Sequence, residues 1–148
     1  LARMDGKKFV EVFLKPRFKG EINKASNIGT LYADLQSQQE LPPFITHEKL
    51  SKIANSHALE MGKSGKTGHD GFSSRYSSVD DEFMTTGENC SYGLSDPLAV
   101  VIDLLVDEGV PSLGHRKNIL SSSFRYLGVG MRKHKIYQIN TVMSFGGL

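Results

Sequence analysis

Residues 85–120 read TTGENCSYGLSDPLAVVIDLLVDEGVPSLGHRKNIL, and the order of elements inside this stretch decides the fold class. Thr85 to Tyr92 reads as a strand with Glu88 inside it. Ser95 or Asp96 caps the next helix, and Pro97 takes its first position, where the missing amide hydrogen would be unsatisfied anyway. Leu98, Val101, Ile102 and Leu105 form its apolar face. Gly109, Val110 and Pro111 close it. Gly114 to Leu120 looks like a short helix that begins near His115.

Toward the C-terminus, residues 127–133 and 136–145 make two strands joined by a tight turn at His134-Lys135. Ile139, Thr141 and Met143 alternate with Gln138, Asn140 and Val142, as in a sheet with two distinct faces. Toward the N-terminus, Leu50, Ile53, Ala54, His57, Ala58 and Met61 make one apolar stripe over three helical turns. Thr46 is suited to cap this helix, and Gly62 and Gly65 end it. Residues 64–82 are polar and rich in Gly and Ser, a long loop that carries His69. Long loops inside compact domains are often functional.

Further back, Ile22, Ala25, Ile28, Tyr32 and Leu35 give residues 21–35 a helical spacing. Gly29 is a natural break point between two shorter helices. Leu41-Pro42-Pro43 stops any helix. Phe9-Val10-Glu11-Val12-Phe13-Leu14 is β-prone and ends at Pro16, so it reads as a short strand at an edge or left from a preceding module. The whole is α+β, with helices early and central and a small antiparallel sheet late. Residues 1–19 form a basic N-terminal arm, and residues 20–148 form the domain proper.

Composition narrows the function classes. The 148 residues are 39% hydrophobic and 23% charged, values of a globular rather than a disordered chain. The single cysteine, Cys90, excludes an internal disulfide framework and a four-cysteine zinc site. No apolar run approaches the about 18 residues of a membrane helix. The chain opens on Leu1 with no visible signal peptide, which points to an upstream segment. The net charge of +2 divides into +4 over residues 1–24 and −2 over the remainder. A basic arm on an acidic body does not make the basic folded face that nucleic acid requires.

Several motifs fail on spacing. His47-Glu48 starts like HExxH, but Ser51 stands where the second histidine belongs. Gly65-Lys66-Thr67 lacks the upstream glycine of a P-loop, since position 60 is Glu60. Gly62-Lys63-Ser64-Gly65 lacks the spacing of a nucleophile elbow. Asn89-Cys90-Ser91 is a formal glycosylation sequon inside an expected strand. Cys90 itself reads as a small buried hydrophobe rather than a nucleophile.

Four phrases remain: Gly68-His69-Asp70-Gly71, Gly87-Glu88-Asn89, Leu104-Leu105-Val106-Asp107, and Gly114-His115-Arg116-Lys117-Asn118-Ile119-Leu120. With Gly128-Val129-Gly130 after them, their order resembles the CAP superfamily of cysteine-rich secretory, antigen 5 and pathogenesis-related proteins. The likeness is foremost to its bacterial, disulfide-free extracellular branch, and it covers roughly residues 20–147. The resemblance implies a three-layer α-β-α sandwich and a secreted or cell-surface location. It also implies a cleft with two histidines, His69 and His115, and two acids. Glu88 is the first acid. Asp107 takes the place of the second, where the family usually has a glutamate, with Glu108 as the alternative.

Two imidazoles and two carboxylates in one cleft can hold a divalent cation, zinc foremost, with His69 and His115 as ligands. Without metal, each imidazole can pair with a carboxylate. The resemblance implies a binding module for a metal and a peptide-like or lipid ligand. The alternatives are a metal-dependent hydrolase, with Glu88 as general base, or a structural domain with a vestigial site. Of the other histidines, His57 reads as a satisfied core residue, and His47 and His134 as surface residues. Arg116 and Asn118 read as anchors of the short helix, and Asn89 as a residue that holds its loop.

Overall fold

A computed structural model describes residues 1–20 and 22–148. The chain opens with helix α1 (Gly6–Phe9), a wider π-helical stretch (Val10–Leu14) and the short α2 (Lys15–Arg17). Next come α3 (Asn27–Ser37), strand β1 (Ile45–Thr46), α4 (Glu48–Ser64) and α5 (Phe72–Tyr76). After a single turn at Ser77–Val79 follow β2 (Thr85–Tyr92), α6 (Pro97–Val106), α7 (Gly114–Leu120), β3 (Tyr126–His134) and β4 (Gln138–Gly147). The four strands form one sheet in the order β1-β3-β4-β2. β2, β4 and β3 are antiparallel, and β1 is parallel to β3 at the edge.

The alternation read along β4 divides the core in two. Val142 packs with Ala54, Ala58 and Met61 of α4 and with Cys90 of β2. Its neighbours Met143 and Phe145 point the other way, into a cluster with Leu31 and Leu35 of α3 and Val100, Ile102 and Leu105 of α6. Helices therefore cover both faces, and the fold is a three-layer α-β-α sandwich. The α4 face closes to backbone contact. A Cβ on Gly128 would lie 2.1 Å from the carbonyl carbon of Leu50, and one on Gly130 would lie 2.5 Å from the amide nitrogen of Asn55. Only glycine admits the helix at that height.

Asp96 caps α6 by accepting the Ala99 amide at 2.7 Å, with Pro97 inside the first turn, as the sequence suggests. Gly65 ends α4 in a left-handed conformation at φ 78°. Other elements depart from expectation. Phe9–Leu14 is helical, not a strand. Its β-prone side chains stand four apart: Val10 and Leu14 are buried together, Phe9 and Phe13 meet as tilted rings 5.2 Å apart, and Glu11 pairs with Lys15 at 2.6 Å. Burial on a helical spacing overrides strand propensity here. The wide turn falls just before Pro16, which has no amide hydrogen for a regular ladder. Ala2, Phe9, Val10 and Leu14 belong to the α3/α6 core. The Arg3 guanidinium is buried and donates to the carbonyls of Ile119, Ser121 and Phe124.

Helix α3 starts at Asn27, where Ser26 accepts the Gly29 amide at 3.1 Å, and it passes Gly29 without a break. Ile22 and Ala25 therefore precede it, and Glu21 lies outside the described residues. Thr46 is not the cap of α4. It belongs to β1, which the sequence did not reveal, and His47 holds the cap position. The 64–82 loop contains α5, whose Phe72 and Tyr76 rings stack at 4.2 Å. The hairpin turn lies one step later than expected, across residues 135–137. His134 is buried, not at the surface: Nε2 donates to the Lys66 carbonyl at 2.9 Å, and Nδ1 accepts the amides of Ile136 and Tyr137. His47 is half-buried between Phe83 and Tyr126 and pairs with Glu82 at 3.2 Å.

Candidate functional site

On β2 the side chains alternate, so Glu88 and Cys90 face α4 while Asn89 faces α7. The Glu88 side chain is 1% exposed. Its Oε1 lies 2.8 Å from His69 Nδ1, and Arg75 Nη2 donates to both oxygens, at 2.7 and 2.9 Å. Tyr76, one residue on in α5, donates to the Gly87 carbonyl at 3.0 Å and reaches Glu88 Oε2 at 3.5 Å. Burial opposes ionisation of Glu88. The hydrogen bonds from His69 and Arg75, with the nearby charges of Arg75 and His57, outweigh it and hold the carboxyl below its ordinary value.

His57 approaches the same carboxylate from α4. Its Nε2 is 2.9 Å from the Gly68 carbonyl and 3.7 Å from Glu88 Oε1. Its Nδ1 is buried without a partner among the described residues, so this core histidine is satisfied on one nitrogen only. Cys90 Sγ lies 3.8 Å from His69 Nδ1 and 4.0 Å from Glu88 Oε1. Burial, then the Glu88 charge, pushes its thiol up to about 12. A thiol so placed is a poor nucleophile, and the buried Asn89 is no glycosylation acceptor.

The second imidazole–carboxylate pair forms where α6 ends. Asp107 is the residue that terminates α6, in a left-handed conformation at φ 57° that aspartate tolerates better than most side chains. There its carboxylate turns onto α7. Oδ1 lies 2.7 Å from His115 Nδ1, and Oδ2 accepts the amides of His115 at 2.9 Å and Arg116 at 3.3 Å. It satisfies two of the amides that a helix start leaves open. The Asp107 side chain is 1% exposed, whereas Glu108 is exposed.

The two pairs hang from one length of β2. Asn89 donates to the His115 carbonyl at 3.0 Å, and Asn118 donates to Asn89 Oδ1 at 2.8 Å and to the Glu88 carbonyl at 3.5 Å. Arg116 points away from both. Its buried guanidinium bonds the Leu105, Val106 and Asn27 carbonyls and Asp34, fastening α7 to α6 and α3. Among the described residues no hydrogen bond joins the His69 side chain to that of His115. Each ring has Nδ1 on a buried acid and, among the described residues, no protein hydrogen bond at Nε2, and the side chains are 47% and 24% exposed. Arg75 and His57 have no part in the cleft expected from the sequence. No motif marks Arg75: the phrase Gly68-His69-Asp70-Gly71 ends before it, and residues 72–74 read only as loop.

The three-layer fold is that of a CAP domain. The family model described as the cysteine-rich secretory protein family matches residues 21–143, and the chain belongs to that family. Among curated proteins it is similar to the uncharacterized protein YkwD of Bacillus subtilis, 34% identical over 102 residues. That match takes in 64% of this chain and 37% of YkwD, so the chain spans little more than a third of its relative. Among solved structures it resembles an extracellular SCP-domain protein of Bacillus anthracis, with TM-score 0.59 and 22% identity over 82% of this chain and 38% of that one. It also resembles an outer surface protein of Borrelia burgdorferi, with TM-score 0.61 and 20% identity over 88% of this chain and 98% of that one. At these identities the structures share the fold. Among the described residues no helix is long and apolar enough to cross a membrane.

Proposed function

We propose that this domain acts as an extracellular binding module whose cleft takes up a divalent cation, zinc by preference, on His69 and His115. One observation carries this reading: both imidazoles have Nδ1 held by a buried carboxylate, which leaves Nε2 as a lone-pair donor toward solvent. That is how proteins fix the tautomer of a metal-binding histidine and raise its basicity. The donor set suits zinc, with two neutral imidazole nitrogens and open positions for water or a ligand group. A bound cation would supply Lewis acidity at the mouth of the cleft. Glu88 and Asp107 would orient the ligands from behind. A peptide-like or lipid ligand would complete the site, and the extracellular relatives support export.

A hydrolase using Glu88 as general base fits the geometry less well. Its carboxylate is buried, is held on both oxygens by Arg75 and stays ionised below the usual range. A base for water needs a free oxygen and a pKa nearer neutrality. The test is calorimetric titration with zinc. His69→Ala and His115→Ala should each weaken binding by at least about tenfold. Equal affinity in the wild type and the double variant overturns the reading.

A further inference from the structure

A different set of donors lies behind His69, inside the fold. His57, Glu88 and Cys90 are all buried, and each brings one ligand atom within 4.8 Å of the others. His57 Nε2 stands 3.7 Å and Cys90 Sγ 4.0 Å from Glu88 Oε1. A tetrahedral zinc with bonds of ~2.0 Å to nitrogen or oxygen and ~2.3 Å to sulfur holds its ligands roughly 3.3–3.7 Å apart. These two separations need to close by only a few tenths of an ångström. The donors come from two rigid elements, α4 and β2, packed against one another rather than from a mobile loop.

We propose that His57, Glu88 and Cys90 form an interior site for a zinc-class divalent cation, behind the His69/His115 cleft and sharing Glu88 with it. The chemistry of the donors fits such an ion: imidazole, carboxylate and thiolate are the ligands a borderline cation selects. The Glu88 carboxylate has two unlike sides. Oε2 faces Tyr76 and takes the longer Arg75 bond, while Oε1 takes the shorter one at 2.7 Å, lies 2.8 Å from His69 Nδ1 and also faces His57 and Cys90. Oε1 ligates the ion as Arg75 shifts wholly onto Oε2. His57 Nε2 becomes a ligand when the ring hydrogen moves to Nδ1, the nitrogen that has no partner among the described residues. That change gives up only the bond to the Gly68 carbonyl. Cys90 binds as thiolate, releasing its proton to solvent as the cation enters. His69 Nδ1, 3.8 Å from Sγ, closes the loop side.

Cobalt(II) is the probe, because only a bound thiolate gives it a sulfur-to-metal charge-transfer band in the near ultraviolet, and this chain has one cysteine. Wild-type protein titrated with cobalt should develop that band together with tetrahedral visible bands, and zinc should displace both. Cys90→Ser should abolish the charge-transfer band. His57→Gln should weaken cobalt binding by at least about tenfold. His115→Ala should leave the band intact, since it touches only the outer cleft. Circular dichroism of each variant reports its folding, and the wild-type spectrum decides the matter even if a variant fails to fold. Cobalt binding without the band, removed by His115→Ala, overturns the interior site and upholds the outer one. No cobalt or zinc binding overturns both.

Discussion

Asp107 and His115 are joined twice: the carboxylate meets the imidazole at 2.7 Å through Oδ1, and the amide of the same residue at 2.9 Å through Oδ2. One aspartate thus starts a helix and sets the orientation of a ring. Its left-handed backbone ends α6 and turns the carboxylate onto the two amides that open α7.

Asp107→Ala should therefore cost about 1–3 kcal/mol for each buried donor left without a partner. Asp107→Asn, which tolerates the same backbone and keeps an acceptor, should lose distinctly less. Urea unfolding of both variants measures the difference. An alanine variant with the wild-type midpoint would remove Asp107 from its capping role.

Arg75 and Glu88 make the second prediction. The Arg75 side chain is 13% exposed and that of Glu88 1%. Arg75→Met leaves a buried carboxylate whose main neutralising partner is gone, and such losses run to roughly 3–5 kcal/mol. Arg75→Met combined with Glu88→Gln should be far less damaged than the sum of the single changes. Strict additivity in this double-mutant cycle would show that the pair is not coupled.

Acidity gives the third. The Glu88 carboxyl is held below its ordinary value in the fold, while an unfolded glutamate titrates near ~4.3. Between those values the unfolded chain binds the extra proton, so stability rises with pH. The contribution of Glu88 is complete above the unfolded value and is lost as pH falls through the folded one. Thermal midpoints from pH 7 downward should fall more steeply in the wild type than in Glu88→Gln. Parallel curves would refute this.

Much of the site was legible because its phrases are local. Gly-His, Gly-Glu-Asn and Gly-His-Arg each set one side chain at the edge of one element, and α4 was readable from its periodicity. Pairing was not local. Arg75 sits on a helix of five residues in a polar stretch, too short to show a period. His134 looked exposed because its neighbours are lysines, and only the folded turn supplies the carbonyl and amides that bury it. Phe9–Leu14 misled for a different reason: β-branched and aromatic residues four apart serve a helix as well as a strand once a core lies beside them. β1 has two residues and exists only through its partner β3.

The glycines beneath α4 bear on how the interior donors can vary. Helix and sheet meet main chain to main chain at Gly128 and Gly130, so no side chain acts as a spacer between them. That contact fixes α4 where it crosses β3, while Val142 and Cys90 pack beneath it toward β2. A single added methyl at either glycine would lift the helix, and His57 would leave Glu88 with it.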